Sequence, residues 1–172
     1  MGLHRTLSIA ALVITGILFT PPSWASDNFE LDITTHLGDQ QTFQRGDTLS
    51  LLVTMNQDAH LLIIYQDAKN NFIQILPSQH IPTSFYKAGF YFPIPNSQHL
   101  FRLTIRPPFG HEYVWAFATQ HTPPSLSGRK LNNGFRLLEG NMKQIREQLI
   151  SKANSLLGEA HVEIITTDTS SQ

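Results

Sequence analysis

A Pro-Pro-Phe-Gly corner at 107–110 delivers the chain into His111-Glu112-Tyr113-Val114-Trp115-Ala116-Phe117-Ala118-Thr119, and Pro123-Pro124 closes the passage. Proline fixes φ and removes an amide donor, so no helix runs across either boundary. Between them the residues are β-branched, aromatic or small, the composition of a strand buried on at least one face. The rest of the chain must supply strands to pair beside it and apolar surface to cover it.

The upstream segments have that form. Phe29-Glu30-Leu31-Asp32-Ile33-Thr34 alternates apolar and polar, so its apolar side chains share one face of an edge or first strand. Gly38-Asp39 and Arg45-Gly46-Asp47 read as turns, and in the segment 48–55 Leu49, Leu51, Val53 and Met55 again share a face. Gln57-Asp58 turns the chain into Ala59-His60-Leu61-Leu62-Ile63-Ile64-Tyr65, whose continuous apolar run argues burial on both faces. The polar cluster 67–71 then links it to Phe72-Ile73-Gln74-Ile75-Leu76, a hairpin signal. Residues 78–87 read as a surface loop, and Pro93 and Pro95 permit at most a short edge strand over 90–95. The segment 99–106 alternates, with Phe101, Leu103 and Ile105 opposite Arg102, Thr104 and Arg106.

Downstream, 125–134 has loop composition. Leu138, Met142, Ile145, Leu149, Ala153 and Leu156 then recur at steps of three and four among charged residues, which predicts an amphipathic helix over about 138–157 with Gly158 placed to end it. A final strand is expected over about 160–167, before a polar tail. No internal repeat is evident. The expected fold is mainly β, sandwich-like and mostly antiparallel, with one C-terminal amphipathic helix, an α+β arrangement.

The first residues carry an address. His4 and Arg5 precede an uninterrupted apolar stretch over 7–19, and small residues follow at Ser23 and Ala25. That is the order of a secretory signal, with cleavage expected after Ala25 and a single β-rich domain over 26–172. The stretch is shorter than the roughly 20 residues a spanning helix needs, and Pro21-Pro22 follows it directly. No stable membrane span is therefore expected after cleavage, and with no cysteine to acylate the product is not a lipoprotein. The address is periplasmic or secreted.

Composition removes several classes of function. A formal charge of −1 offers no basic footprint for nucleic acid. The absence of cysteine removes thiol nucleophiles, thiolate zinc sites and iron–sulfur clusters, and leaves a chain of 172 residues to rely on its core rather than on disulfides.

In order along the chain, Arg45-Gly46-Asp47-Thr48-Leu49, Ala59-His60-Leu61-Leu62 continuing to Tyr65, the apolar segment 72–77 ending in Leu-Pro, Ala88-Gly89 with Ile94-Pro95, Pro108-Phe109-Gly110-His111-Glu112 and Trp115-Ala116-Phe117-Ala118-Thr119 resemble the bacterial domain of unknown function 4384 over about 29–124. Asn70-Asn71 stands where an Asp-Gly turn is usual in that family and Pro77-Ser78 where Pro-Asn is common, both variations of turn chemistry. The resemblance implies a β-rich domain on exported bacterial proteins, with no catalytic role assigned.

Site chemistry is sparse. Seven of the eight histidines, His36, His60, His80, His99, His111, His121 and His161, lack the i, i+2 or i, i+4 spacing of paired metal ligands, so no metal and no cofactor is expected, although residues distant in sequence can converge in space. No Gly-x-Ser-x-Gly elbow or Gly-rich phosphate loop is present, and Asp47, Asp58, Asp67 and Glu112 read mostly as turn residues, so no catalytic set is assigned. Arg45-Gly46-Asp47 has the letters of an integrin tripeptide and the setting of a turn. The best candidate surface is aromatic: Phe85, Tyr86, Phe90 and Tyr91, lying beside prolines, some of whose rings must face outward if the segment is extended. The competing assignment fills the core with one face of this segment and leaves Tyr91 to snorkel.

The sequence therefore reads as an exported, non-catalytic binding or assembly module of the bacterial envelope, its partner another envelope protein or a cell-wall ligand. One alternative is a module for cell-wall glycan or peptide using residues 85–92, and another is an uncharacterised hydrolase. Oligomeric state is not legible.

Overall fold

A computed structural model describes residues 28–153 and 156–168. The leader assigned to 1–25 and its cleavage point lie outside the described residues. The strands are β1 (Leu31–Thr35), β2 (Thr42–Gln44), β3 (Thr48–Leu49), β4 (Leu51–Met55), β5 (Ala59–Gln66), β6 (Phe72–Leu76), β7 (Phe85–Tyr86), β8 (Phe92–Ile94), β9 (Leu103–Thr104), β10 (His111–Thr119), β11 (Gly128–Lys130), β12 (Arg136–Leu138) and β13 (Leu156–Thr167), with one helix, α1 (Met142–Ala153).

The large sheet has the order β11-β12-β6-β5-β10-β13-β2, with β7 paired to the start of β5. Its ladders are antiparallel except β13 to β2. A smaller antiparallel sheet runs β1-β4-β8, and β3 and β9 form a separate two-stranded ladder. The fold is mainly β and mostly antiparallel with one C-terminal helix, as the sequence pattern predicts.

One face of the large sheet buries Leu61, Ile63, Val114, Ala116 and Ile164 against Ile33, Leu51, Val53 and Ile94 of the smaller sheet. The opposite face buries Leu62, Ile64 and Phe117 against Ile145 and Leu149 of α1. This double burial is why β5 and the second half of β10 carry no polar alternation. Each fully buried aliphatic or phenyl side chain contributes roughly 1.5–3 kcal/mol relative to exposure. Arg146 fastens the helix to the sheet: its guanidinium lies 5.1 Å from the Trp115 ring centre, its Nε donates to Glu159 Oε2 at 2.8 Å, and Trp115 stacks on His161 at 4.5 Å.

Several boundaries differ from the sequence expectation. The helix occupies Met142–Ala153 rather than 138–157, because Leu138 ends β12 and Asn141 caps the helix by accepting from Gln144 N at 3.1 Å. Leu156 and Gly158, placed in or just after the helix by periodicity, belong to β13, which begins four residues earlier than the expected 160. The segment 48–55 changes partners at Ser50, with β3 on β9 and β4 on β1, yet Leu49, Leu51, Val53 and Met55 remain in one core. Of 99–106 only Leu103 and Thr104 pair as strand, because the chain there crosses to the turn at 45–47, where Ile105 N donates to Asp47 O at 2.9 Å. The loops 78–87 and 125–134 contribute β7 and β11.

Candidate functional site

The expected aromatic surface divides in two. Phe85 is 45 % exposed, Phe90 70 % and Tyr91 64 %, so Tyr91 does not snorkel. Tyr86 turns inward instead and stacks on Phe92 at 4.5 Å, and burial pushes its phenol up to about 12. Asp58 anchors the passage: Oδ1 accepts from Ala88 N at 2.9 Å and Oδ2 from Lys87 Nζ at 2.6 Å, while Lys87 lies 5.2 Å from the Phe85 ring centre. None of Phe85, Tyr86, Phe90 and Tyr91 lines the cavity described next.

That cavity, about 600 Å³, opens at the other end of β5. β5 runs from His60, which pairs with Phe85, to Tyr65 in the cavity wall, a span of roughly 17 Å at the usual rise per residue. Behind the cavity lie the buried aliphatic side chains Leu49, Leu51, Ile75 and Val114 of β3, β4, β6 and β10, while Ile73 of β6 is half-buried and faces it. Phe101, His80 and Phe135 form an aromatic wall, with ring centres 5.0 Å apart for His80 and Phe101, 5.2 Å for His80 and Phe135 and 5.4 Å for the two phenylalanines. His80 Nε2 lies 2.7 Å from Asn133 O, which fixes the proton on Nε2 as donor. Gly134 makes the approach feasible, since at its φ of 83° an added Cβ would stand 2.7 Å from that nitrogen.

The polar groups of the cavity differ in how far they are committed. Asp67 is buried and saturated: Oδ1 accepts from Lys69 N and Asn71 N, and Oδ2 accepts from Asn71 Nδ2. This is the turn chemistry its sequence position suggests. Tyr65 donates its hydroxyl to Glu112 Oε2. Arg102 and Arg106 are exposed on the lining and have no hydrogen-bond or ion-pair partner among the described residues.

Glu112 corrects the turn assignment. It lies within β10, has no exposed surface, and its Oε1 has no hydrogen-bond partner among the described residues. Burial pushes its carboxyl above the ordinary range and outweighs the Tyr65 hydrogen bond, which favours the charged form. The Thr166 hydroxyl and the Ala68 amide also favour the charge, yet neither closes a hydrogen bond of normal geometry to Oε1. Burial and the Glu112 charge together raise the Tyr65 phenol well above its usual value.

Elsewhere, His111 Nδ1 meets Glu163 Oε1 at 2.7 Å and His60 Nδ1 meets Ser84 Oγ at 2.9 Å. Among the described residues no group of three or more His, Asp or Glu converges where a metal ion could sit, and no helix is long and apolar enough to cross a membrane. Sequence reasoning did not single out Phe101, Arg102, Arg106 or Phe135 as site residues. The available signal was the pair of arginines, two cations in a segment whose alternate residues are apolar.

Two facing sheets with a helix on the outer face and an open cavity at one end define a mainly antiparallel β-rich domain. Residues 42–122 match the model of the family described as Domain of unknown function (DUF4384), and this part of the chain is a domain of that family. No curated protein and no solved structure matches the chain. The matched span narrows the 29–124 of the resemblance and carries β2 to β10, with most of the cavity wall, whereas Asn133 and Phe135 come from beyond it.

Proposed function

We propose that the chain is an exported, non-catalytic binding module of the bacterial cell envelope, and that its ligand site is the cavity between Tyr65, Phe101, Arg106 and Phe135. The carrying observation is a mostly aliphatic and aromatic concavity of about 600 Å³ with a few polar groups on its lining, the form small-molecule sites take. Export rests on the leader pattern of the first 25 residues. The non-catalytic reading is supported by the carboxylate on the lining and the one behind it, since Asp67 is spent on its turn and Glu112 is sealed beneath Tyr65.

A second reading uses the exposed rings of Phe85, Phe90 and Tyr91 as a platform for cell-wall glycan, peptide or an envelope protein, and it draws support from their exposure.

Native mass spectrometry of the protein taken from the envelope of expressing cells, before and after organic extraction, tests the first reading. The expected result is a chain starting at Ser26 with an extractable mass excess that Thr104→Trp, in the cavity wall, abolishes. An excess that survives in the blocked variant, or none at all, sinks the cavity reading. A chain retained in the cytoplasm sinks export.

A further inference from the structure

We infer that the cavity takes a single-chain amphiphile with a carboxylate head, its apolar tail against the aliphatic and aromatic wall and its head at Arg102 and Arg106. This rests on the cavity being the ligand site. The other arginines differ in their commitments: Arg45 pairs with Asp168, Arg146 with Glu159, and Arg136 donates to Gly128 O at 3.2 Å. Arg129 has no partner either among the described residues, but it does not line the cavity. Arg102 and Arg106 line it and are unpaired among the described residues, while the groups around them, Leu103, Ile105, Pro107 and Pro108, are apolar. A guanidinium stays charged at any accessible pH, so two of them beside aliphatic surface present a permanent cationic margin.

An uncharged apolar ligand would leave that margin unused, and a cationic amphiphile would meet it unfavourably. Asp67 sets the head's charge. Its carboxylate also lines the cavity, so Arg102, Arg106 and Asp67 together sum to +1, a charge that one carboxylate head balances and a doubly charged phosphate overshoots. The partly exposed apolar residues of the lining, Ile73, Phe101, Leu103 and Phe135, accept the tail.

Calorimetric titration of the purified protein with dodecanoate, dodecanol, dodecyl phosphate and dodecyltrimethylammonium, each below its micelle concentration, reads the assignment directly. Dodecanoate is expected to bind best. The double variant Arg102→Gln/Arg106→Gln is expected to lose about tenfold in dodecanoate affinity and to leave dodecanol unchanged, the scale of one hydrogen bond to a charged group. Both arginine side chains are exposed and unpaired, so this variant folds.

Equal affinity for dodecanoate and dodecanol, or an unchanged dodecanoate affinity in the double variant, overturns the anionic head while leaving the cavity reading intact. Tighter binding of the phosphate overturns the carboxylate. If no amphiphile binds, or if dodecanoate binds equally to Thr104→Trp and Asn133→Trp with both variants shown to be folded by thermal unfolding, the cavity reading itself falls.

Discussion

Tyr65 hands its hydroxyl proton side to Glu112 Oε2 diagonally across the β5–β10 ladder, where its direct partner is Val114. The contact joins a cavity-wall residue to a carboxylate with no exposed surface, and leaves Oε1 without a partner among the described residues. A buried polar atom without a hydrogen bond costs stability, and more so when charged.

The pH dependence of stability follows from that burial. Folded Glu112 holds its proton more tightly than an unfolded glutamate, so across a window opening at the ordinary value near 4.5 and running upward the native state binds more protons. Stability contributed at this site is therefore greatest below the window and falls as pH rises through it. His99, whose pKa is lowered by desolvation, acts with the opposite sign below its ordinary value of 6.5, so the informative quantity is the difference between wild type and Glu112→Gln. Urea unfolding from pH 4.5 upward should show the wild type losing ground steadily to the variant. A flat difference would mean that Glu112 is ionised in the native state at no cost.

The apolar docking of the helix falls on its inner face. Ile145 and Leu149 are fully buried in the second core, whereas Ile150 is 57 % exposed. Ile145→Ala should cost about 2–5 kcal/mol in chemical unfolding, the range for emptying a buried aliphatic site. Ile150→Ala should stay within about 0.5 kcal/mol, as surface changes do. Similar losses in both would refute the docking of this face.

At the start of the helix, Asn141 and Gln144 satisfy each other's backbone amides, with Asn141 N donating to Gln144 Oε1 at 3.0 Å and Gln144 N to Asn141 Oδ1 at 3.1 Å. This reciprocal cap explains why the helix begins four residues later than periodicity suggests. Asn141→Ala should cost about 1 kcal/mol. Thermal unfolding reads it as a drop of roughly 2–4 °C for a chain of this size, and an unchanged midpoint would remove the cap's role.

How far each feature was legible depends on how local its cause is. Ala59 to Tyr65 announced burial on both faces through its own composition, and β5 lies between β6 and β10 with a core on each side. Pro93 and Pro95 announced an edge strand, and β8 is at the edge of its sheet. The aromatic passage was legible as partly exposed, but the inward turn of Tyr86 depends on Phe92 across the loop. The cavity was not legible at all. Its wall is assembled from β3, β6, β10 and the passages around Phe101 and Phe135, and no periodicity within one segment reports such a meeting. Glu112 reads as a turn residue, whereas it lies in β10 beneath Tyr65, a residue of another strand.

Gly128 tests the edge of the large sheet. Its φ is 155°, and an added Cβ would stand 2.9 Å from Leu138 Cα and closer still to Leu137 O across the β11–β12 ladder. Backbone cannot yield as a flexible side chain can, so Gly128→Ala should destabilise by more than about 1 kcal/mol. An alanine variant with an unchanged unfolding midpoint would show that β11 is free to leave the sheet.

The aromatic passage separates structural from surface rings in one experiment. Tyr86 is half-buried and stacked on Phe92, in a loop pinned by Asp58, so Tyr86→Ala removes ring packing between the end of β5 and the small sheet. Stacked aromatic pairs add about 0.5–1.5 kcal/mol beyond the area they bury, and the whole loss should reach about 2 kcal/mol. Phe90 and Tyr91 are 70 % and 64 % exposed, so Phe90→Ala and Tyr91→Ala should leave stability within about 0.5 kcal/mol. Urea unfolding of the three variants gives the comparison. If Tyr91→Ala proves as costly as Tyr86→Ala, the ring is packed rather than presented, and the passage has no claim to be a docking surface. If both exposed rings are silent in stability, any loss of envelope or cell-wall association in the same variants is a loss of contact and not of fold.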